Sequence, residues 1–184
     1  SLARGAVALH EPRYADAAVR AAGALLRQLR TPNGRWLAVH AKGWSKLPAY
    51  LDDHAFLAVA FLDLHEATGE PRWRDEAVGV LRVMEEHFAD HEAGGFFFTA
   101  DDHEELLART KDPVDKAIPS GNGLAAQTLV RLAALTGEER YRDEAQRLLE
   151  RFLGYMERTP HGTASLLLAA AQYLDATAAR ETVP

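Results

Sequence analysis

The 184-residue chain has no cysteine, which excludes disulfide bonds, thiolate metal sites and a cysteine nucleophile. Lysine is scarce, and the net charge of −6 leaves no basic stripe of the kind that binds nucleic acid. No apolar run reaches the roughly 18 residues of a membrane-spanning helix, and no signal peptide is expected at the start. These absences predict a cytoplasmic globular domain, residues 1–184, with no cofactor and with neither nucleic acid nor membrane as a partner.

A ten-residue sequence occurs twice in nearly the same form. TGEPRWRDEA at 68–77 and TGEERYRDEA at 136–145 agree at eight positions, and HEPRYADAA at 10–18 is a fainter copy. After each aromatic residue, apolar residues follow at +4, +7, +8, +11 and +15, the spacing of one face of an α-helix. Each copy therefore predicts a half-buried helix.

Other segments predict a second kind of helix and short strands. Residues 54–67, 123–136 and 162–177 are apolar nearly all round, which is typical of buried helices. Glycine-bounded segments at 34–43 and 94–100, the latter returning through 105–110, predict two β-hairpins.

The alternation of buried and half-buried helices predicts an all-α fold. We expect an incomplete α/α toroid of about six helices, with the two short β-hairpins on one rim. A TPR or HEAT solenoid is the alternative, but such repeats of roughly 34–47 residues are shorter than the period found in this chain.

Polar residues cluster where each apolar helix is predicted to begin, in YLDDHAF (50–56), IPSGNGL (118–124) and TPHGTAS (159–165). In a toroid these starts would converge on one mouth of the central cavity. Asp, Ser and Asn are ordinary N-caps, and helix N-termini also attract anions or polar ligand oxygens. Both uses stay open for Ser120 and Asn122, while Gly121 and Gly123 allow close approach of a ligand or a neighbouring helix.

Asp52, Asp53 and His54 are the candidate catalytic residues. Glycosidic chemistry uses two carboxyl groups roughly 5–10 Å apart, which adjacent positions at one helix start do not easily provide. One aspartate is therefore expected to cap the helix and the other to act as an acid, a base or a sugar ligand. His54 is a candidate proton carrier near neutral pH, with packing on the Trp44 loop as the alternative.

The predicted ligand site combines Ser120, Gly121 and Asn122 with three further residues, Asp115, His161 and Trp44. Asp115 precedes the glycine-rich turn, His161 falls on Ser120 when Pro160-His161-Gly162 is laid on Pro119-Ser120-Gly121, and Trp44 offers a ring on which a sugar stacks. A loop ion pair and loop packing are the alternatives for Asp115 and Trp44.

No metal site is predicted, although His87 and His91 have an i,i+4 spacing that can hold a metal. Their acidic surroundings favour a solvated helix end. DDHEE at 101–105 is likewise interpreted as a solvated hairpin tip.

Three segments carry a resemblance to a known family: LDDHAFLAVAFLDLHEATGE (51–70), GGFFFTADDHEELLARTKD (94–112) and IPSGNGLAAQTLVRLAALTG (118–137). They resemble the helical C-terminal region of the YyaL-like proteins, bacterial relatives of spermatogenesis-associated protein 20, over residues 10–178. His54 stands where that family usually has Tyr, and Gly123 where it often has Ser. The resemblance implies about half of a six-hairpin, glycosidase-like toroid, without the family's thioredoxin-like domain.

Two functional hypotheses follow. The first is a sugar-recognising region, whose chemistry in an enzyme would be acid–base catalysis of the epimerase or glycosidase type. The second is a non-catalytic scaffold that docks the thioredoxin-like domain or another protein. Half a toroid would also leave its terminal helices, 12–30 and 162–177, without neighbours, which predicts self-association through their apolar faces.

Overall fold

The computed structural model describes residues 2–104 and 107–181, which form seven α-helices, a 3₁₀ turn and a two-stranded sheet. The helices are α1 (Leu2–Ala8), α2 (Pro12–Gln28), α3 (Leu51–Thr68), α4 (Pro71–His87), α5 (Gly121–Thr136), α6 (Glu139–Arg158) and α7 (Ala164–Glu181). The strands are β1 (Leu37–Ala41) and β2 (Trp44–Pro48), and the 3₁₀ turn is Pro160–Gly162. Within the described ranges, no helix combines the length and the apolar character needed to cross a membrane.

The helices form two layers. The inner layer runs α1, α3, α5, α7, each helix packing on the next, and the outer helices α2, α4 and α6 pack against it. The inner helices α3 and α5 are apolar nearly all round and are buried along much of their length, whereas the outer helices bury one stripe. This arrangement confirms the all-α toroid predicted from the sequence. The expected six helices become seven in the described residues, because α1 precedes the first repeat.

The ten-residue repeat builds the same helix–helix junction twice. Gly137, at φ +74°, ends α5 in the left-handed conformation, and Glu138 then pairs with Arg140 at 2.9 Å. The Arg140 guanidinium lies 4.0 Å from the centre of the Tyr141 ring. The earlier copy repeats all three features, at Gly69 (φ +69°), in the Glu70–Arg72 pair (2.7 Å) and in the Arg72–Trp73 contact (4.3 Å).

The faint first copy keeps the contacts but not the burial. Arg13 pairs with Glu11 at 3.2 Å and lies 5.2 Å from the centre of the Tyr14 ring. Tyr14 is half-buried, whereas Trp73 and Tyr141 are each only 1% exposed. The two closely matching copies therefore form equivalent junctions, and the faint copy, at the edge of the array, buries its aromatic ring less completely.

One predicted β-hairpin forms. β1 and β2 pair antiparallel, with Ala41 opposite Trp44 and Leu37 opposite Pro48. Lys42 and Gly43 make the turn, both with positive φ, as a two-residue hairpin turn requires. The predicted segment 34–43 contained β1 and the turn but missed β2.

The second predicted hairpin, 94–100 with 105–110, is wrong, because the described residues of these ranges form no regular strands. In the described part of that segment the pairing is limited to a bridge between Ala89 and Phe96 and a hydrogen bond from the Phe98 N–H to the Thr110 carbonyl. Arg109 donates its guanidinium hydrogens to the carbonyls of Thr99 and His87, which replaces ladder hydrogen bonds. Residues 105 and 106 lie outside the described residues.

Both connecting loops lie at one end of the array, as predicted. The carbonyl of Phe98 accepts a hydrogen bond from the first residue of α3, Leu51, at 3.0 Å. Arg35, from the segment before β1, forms a two-pronged ion pair with Asp102. This end carries the starts of α3, α5 and α7.

Trp73 provides a test of the layered core. Its ring stacks on Phe61 at 5.9 Å with an angle of 13° between the rings, joining α4 to α3. Trp73→Ala should lower the free energy of unfolding by roughly 3–5 kcal/mol, because a large buried ring leaves a cavity. Urea denaturation measures the loss. Trp44→Ala is the control, since that ring is 46% exposed, and an equal loss in both variants would contradict the proposed core.

Candidate functional site

The starts of α3, α5 and α7 meet at one place. The carboxylate of Asp52, in the first turn of α3, lies beside Gly121, the first residue of α5, whose backbone N–H favours the ionised carboxylate. A Cβ at Gly121 would lie 2.5 Å from Asp52 Oδ1, so a larger residue does not fit. A Cβ at Gly123 would lie 1.9 Å from the Ser165 hydroxyl of α7. The two glycines therefore serve close approach between helices.

Asp115 joins the second and third of these helices. Its Oδ1 accepts the Ser120 N–H and its Oδ2 accepts the Ser165 N–H, each at 2.8 Å. The Ser165 hydroxyl also donates to Asp115. One carboxylate thus satisfies free backbone N–H groups at the starts of α5 and α7, a favourable place for negative charge. The structure gives Asp115 a capping role in place of the expected loop ion pair.

Ser120 and Asn122 are both engaged by the protein. The Ser120 hydroxyl accepts the Gly123 N–H at 3.0 Å and caps α5. Asn122 is fully buried, and its amide pairs with both backbone groups of Phe96, at 2.8 and 3.0 Å. Asn122 therefore fastens the loop after α4 to the start of α5. A ligand-binding role for either side chain stays a prediction.

The two adjacent aspartates differ in their surroundings. Asp53 accepts the Tyr50 N–H at 2.9 Å and so caps its own helix, as one of the pair was expected to do. Asp52 is half-buried, and burial raises the pKa of its carboxyl, with the charges of Asp112 and Asp53 adding to the effect. The Gly121 N–H and Lys116 act in the opposite direction. Asp52 is thus the carboxyl suited to hold a proton.

His54 is buried with one ring nitrogen unpaired. Its Nδ1 lies 2.7 Å from the Tyr50 carbonyl oxygen, to which it donates, so Nε2 is left as an acceptor. Within the described residues Nε2 has no hydrogen-bond partner. Burial lowers the pKa of His54, so the ring is held neutral. Its ring packs on Phe88, the residue after α4, with 4.9 Å between the ring centres, and not on the Trp44 loop as the alternative interpretation had it.

His103 is a site residue that the sequence did not reveal. Its ring meets Tyr50 edge-on at 5.3 Å and Phe88 at 6.2 Å, so it lies over the same aromatic group as His54. Burial also lowers its pKa, and its Nε2 likewise lacks a partner among the described residues. The solvated interpretation of 101–105 is wrong for His103, which is half-buried, and it holds for Asp101, Asp102 and Glu104.

The remaining predicted ligands lie at the edges. His161 is exposed in the 3₁₀ turn, whose Gly162 carbonyl accepts the Asp115 N–H, so this turn borders the α5 start. Trp44 is exposed on β2, with the Lys46 ammonium 4.3 Å from its ring centre. The structure brings Asp52, Asp115, Ser120, Gly121 and Asn122 together, and it shows no direct bond from Trp44 to this group among the described residues.

A potential metal-ligand group lies nearby on the rim. His87, Asp101 and Asp102 have ligand atoms within 4.8 Å of one another. Asp101 is hydrogen bonded to His87 Nδ1 at 2.9 Å, and Asp102 is paired with Arg35. Since each carboxylate has a protein partner, we assign no ion to this group.

The Asp115 contacts generate a stability prediction. Asp115→Ala should lower the free energy of unfolding by roughly 2–4 kcal/mol, because two buried N–H groups lose a charged acceptor. Asp175→Ala, at an exposed position of α7, is the control and should change stability by less than about 0.5 kcal/mol. Chemical denaturation compares the two. A loss no larger than that of the control would exclude the capping role.

Comparison with known proteins agrees with this architecture. The sequence profile of the N-acylglucosamine 2-epimerase (GlcNAc 2-epimerase) family matches residues 2–165. Two solved enzymes share the fold, the cellobiose 2-epimerase of Spirochaeta thermophila and the family 76 mannosidase Bt3792 of Bacteroides thetaiotaomicron. The first is 20% identical with a TM-score of 0.61 and the second 21% identical with a TM-score of 0.61. They cover 82% and 81% of this chain, which spans 40% of each.

The curated relatives are much longer than this chain. Rat spermatogenesis-associated protein 20 is 37% identical over 112 residues, or 60% of this chain and 14% of the relative. The human protein is 34% identical over 142 residues, or 76% of this chain and 18% of the relative. The match thus spans less than a fifth of either relative. The chain belongs to the N-acylglucosamine 2-epimerase family, and its homologues are the spermatogenesis-associated protein 20 (YyaL-like) proteins.

Proposed function

We propose that the mouth formed by the starts of α3, α5 and α7 binds a sugar, and that Asp52 is its acid–base group. The observation that carries the proposal is the half-buried Asp52 carboxyl at the meeting point of α3 and α5, whose pKa is raised by burial. The structural neighbours include a cellobiose epimerase and a mannosidase, which supports a sugar ligand.

The proposed chemistry uses Asp52 in both protonation states. A raised pKa lets the carboxyl carry a proton toward a sugar oxygen at a pH where ordinary aspartates are ionised. The Gly121 N–H stabilises the ionised form once the proton has left. Asp53 is occupied in capping α3, so the pair has one carboxyl available for a ligand.

His54 has a second role in this proposal. Its neutral Nε2 accepts a hydrogen bond from a ligand hydroxyl or receives a proton. The Phe88 ring packs on both His54 and His103, so a ligand has to displace part of this buried group to reach Nε2. Trp44 and His161 would contribute an exposed stacking face and an exposed imidazole at the border of the mouth.

Ligand-induced thermal stabilisation tests this proposal. Neutral monosaccharides, disaccharides and sugar phosphates should be screened, since a ligand at about 100 times its Kd stabilises the native state by about 2.7 kcal/mol. The wild type should gain stability with at least one sugar, and Asp52→Asn should reduce that gain. Asp175→Asn, with its exposed side chain on α7, should keep it. Absence of any gain, or a gain that Asp52→Asn leaves unchanged, would overturn the proposal.

A separate observation, the apolar edges of the helical array, favours the predicted self-association through the terminal helices. The exposed face of α7 carries Ala164, Leu167, Leu168, Ala171 and Leu174. At the other end, α1, α2 and α3 form an apolar groove of about 170 Å³ lined by residues that include Leu2, Ala18, Ala21, Leu25 and Leu57. We propose that a second copy of the chain covers these edges, since inner helices already pack side by side through such faces.

Light scattering over a concentration series tests self-association. The wild type should form dimers or larger assemblies, and the double variant Leu168→Glu with Leu174→Glu should remain a monomer because charge in the contact is costly. Leu153→Glu, on the outer helix α6 at a residue 51% exposed, is the control and should still associate. A monomeric wild type at high concentration would show that the edges do not bind a second copy.

A further inference from the structure

The outer helices α2 and α4 border a cleft on the outside of the helical array. Both helices pack on α3, and the space between them has a volume of about 480 Å³. That volume is within the range of small-molecule sites in proteins. Arg20 and Arg27 line the cleft from α2, and Arg72, Trp73 and Glu76 line it from α4. Its polar lining is therefore mostly cationic.

The carboxylate in this cleft is already paired, whereas two of the arginines are not. Glu76 forms an ion pair with Arg30, which follows α2, at 2.9 Å. Arg20 and Arg27 are exposed, and neither has a carboxylate or hydrogen-bond partner in the part of the chain that the structure describes. Two uncompensated positive charges thus line the cleft, although the chain as a whole has a net charge of −6.

Trp73 adds a hydrogen-bond donor without an acceptor. Its side chain is 1% exposed, and its indole Nε1–H has no partner among the described residues, which is rare for a buried polar group. The Arg72 guanidinium lies 4.3 Å from the centre of the ring and pairs with Glu70 at 2.7 Å. The indole N–H and the guanidinium groups of Arg20 and Arg27 donate hydrogen bonds and accept none. The matching ligand is therefore an acceptor with negative charge.

The ten-residue repeat separates these arginines from the packing of the helices. Arg20 and Arg27 lie six and thirteen residues after Tyr14, the aromatic residue of the first copy. The same two positions of the second copy, on α4, are Gly79 and Glu86. Both copies begin outer helices of 17 residues. The helix forms without a cation at either place, so the charge belongs to this cleft and not to the repeat.

A second cleft, between α4 and α6, provides an internal comparison. It has a volume of about 470 Å³ and is lined by Arg147 and Arg151 together with carboxylates that include Glu85, Glu144 and Glu150. Arg147 lies six residues after Tyr141 and so has the repeat position of Arg20. The cations of that cleft share it with carboxylates, and it lacks the positive balance of the α2–α4 cleft.

We propose that the α2–α4 cleft binds a phosphate group, as the free ion or as a monoester of a small molecule. Arg20 and Arg27 hold its oxygens through their guanidinium forks, and the Trp73 indole N–H gains an acceptor. A phosphate monoester carries a charge of about −1.5 to −2 near pH 7, which matches two unpaired arginines better than one carboxylate does. Val19 and Leu26, also on the lining, offer apolar contact to the rest of a monoester.

An NMR titration tests the site. The chain has three tryptophans, so it gives three indole N–H signals, and Trp73→Phe identifies the one from the cleft. The probes are inorganic phosphate and phenyl phosphate, with phenol as the uncharged control. Neither phosphate probe contains a sugar, which keeps this test apart from that of the sugar mouth.

Both phosphate probes should shift the Trp73 signal saturably at millimolar concentration, and phenol should not. Tighter binding of phenyl phosphate would identify the ligand as a monoester, and equal binding would identify it as the free ion. Either order supports the site. A Trp73 signal that responds to neither phosphate probe, or that responds equally to phenol, would overturn the proposal.

Arginine variants make the test specific. Arg20→Gln and Arg27→Gln should each weaken phosphate binding roughly tenfold or more, because each removes charged hydrogen-bond donors. Both should fold as the wild type does, since neither side chain has a protein partner. Arg20→Lys should keep part of the affinity, because it retains the charge and loses the fork.

Arg147→Gln is the matched control. This exposed arginine has the repeat position of Arg20 but lines the other cleft, so its loss should leave phosphate binding unchanged. Equal weakening in Arg20→Gln and Arg147→Gln would show a general attraction of anions to surface arginines and would contradict the site. Unchanged binding in both Arg20→Gln and Arg27→Gln would contradict it as well.

Discussion

The close approach of the inner helices at Gly121 and Gly123 is the constraint on which the site depends. No Cβ fits at either position, since it would meet Asp52 on one side and Ser165 on the other. With glycine there, three helix starts share one small volume, and N–H groups at the starts of α5 and α7 share the Asp115 carboxylate. The glycines of this turn primarily allow the helices to pack closely, and this packing brings the polar groups of the mouth together.

The two carboxylates at this junction, Asp115 and Asp52, differ in their hydrogen bonding. That difference assigns a structural role to one and leaves the other as a candidate acid. Asp115 accepts hydrogen bonds from two backbone N–H groups and a hydroxyl, and these bonds join the start of α5 to the start of α7. Asp52 is half-buried and has carboxylate neighbours, so its pKa is raised and its neutral form is favoured. The same type of residue thus serves as a cap in one place and as a candidate acid in the other.

The inner and outer layers are linked at Asn122. Its buried amide holds the Phe96 backbone, and the loop from Ala89 to Phe96 continues from α4 and borders the cleft between α4 and α6. This loop therefore connects the end of α4 to the start of α5, through the chain on one side and through the Asn122 hydrogen bonds on the other. The cleft between α4 and α6 and the proposed sugar mouth are different places that share this loop.

The sequence by itself determined the helices, their two layers and the repeated junction, because each of these is recorded within a few neighbouring residues. Helical periodicity shows which face is buried, and the Glu-x-Arg-aromatic repeat pairs residues that are local in the chain. The second hairpin failed because its backbone groups are taken by distant side chains, those of Arg109 and Asn122. The tertiary structure alone decided the roles of Asp115 and His103, since their partners Ser165 and Phe88 lie far away in the sequence, and burial and distance set their chemistry.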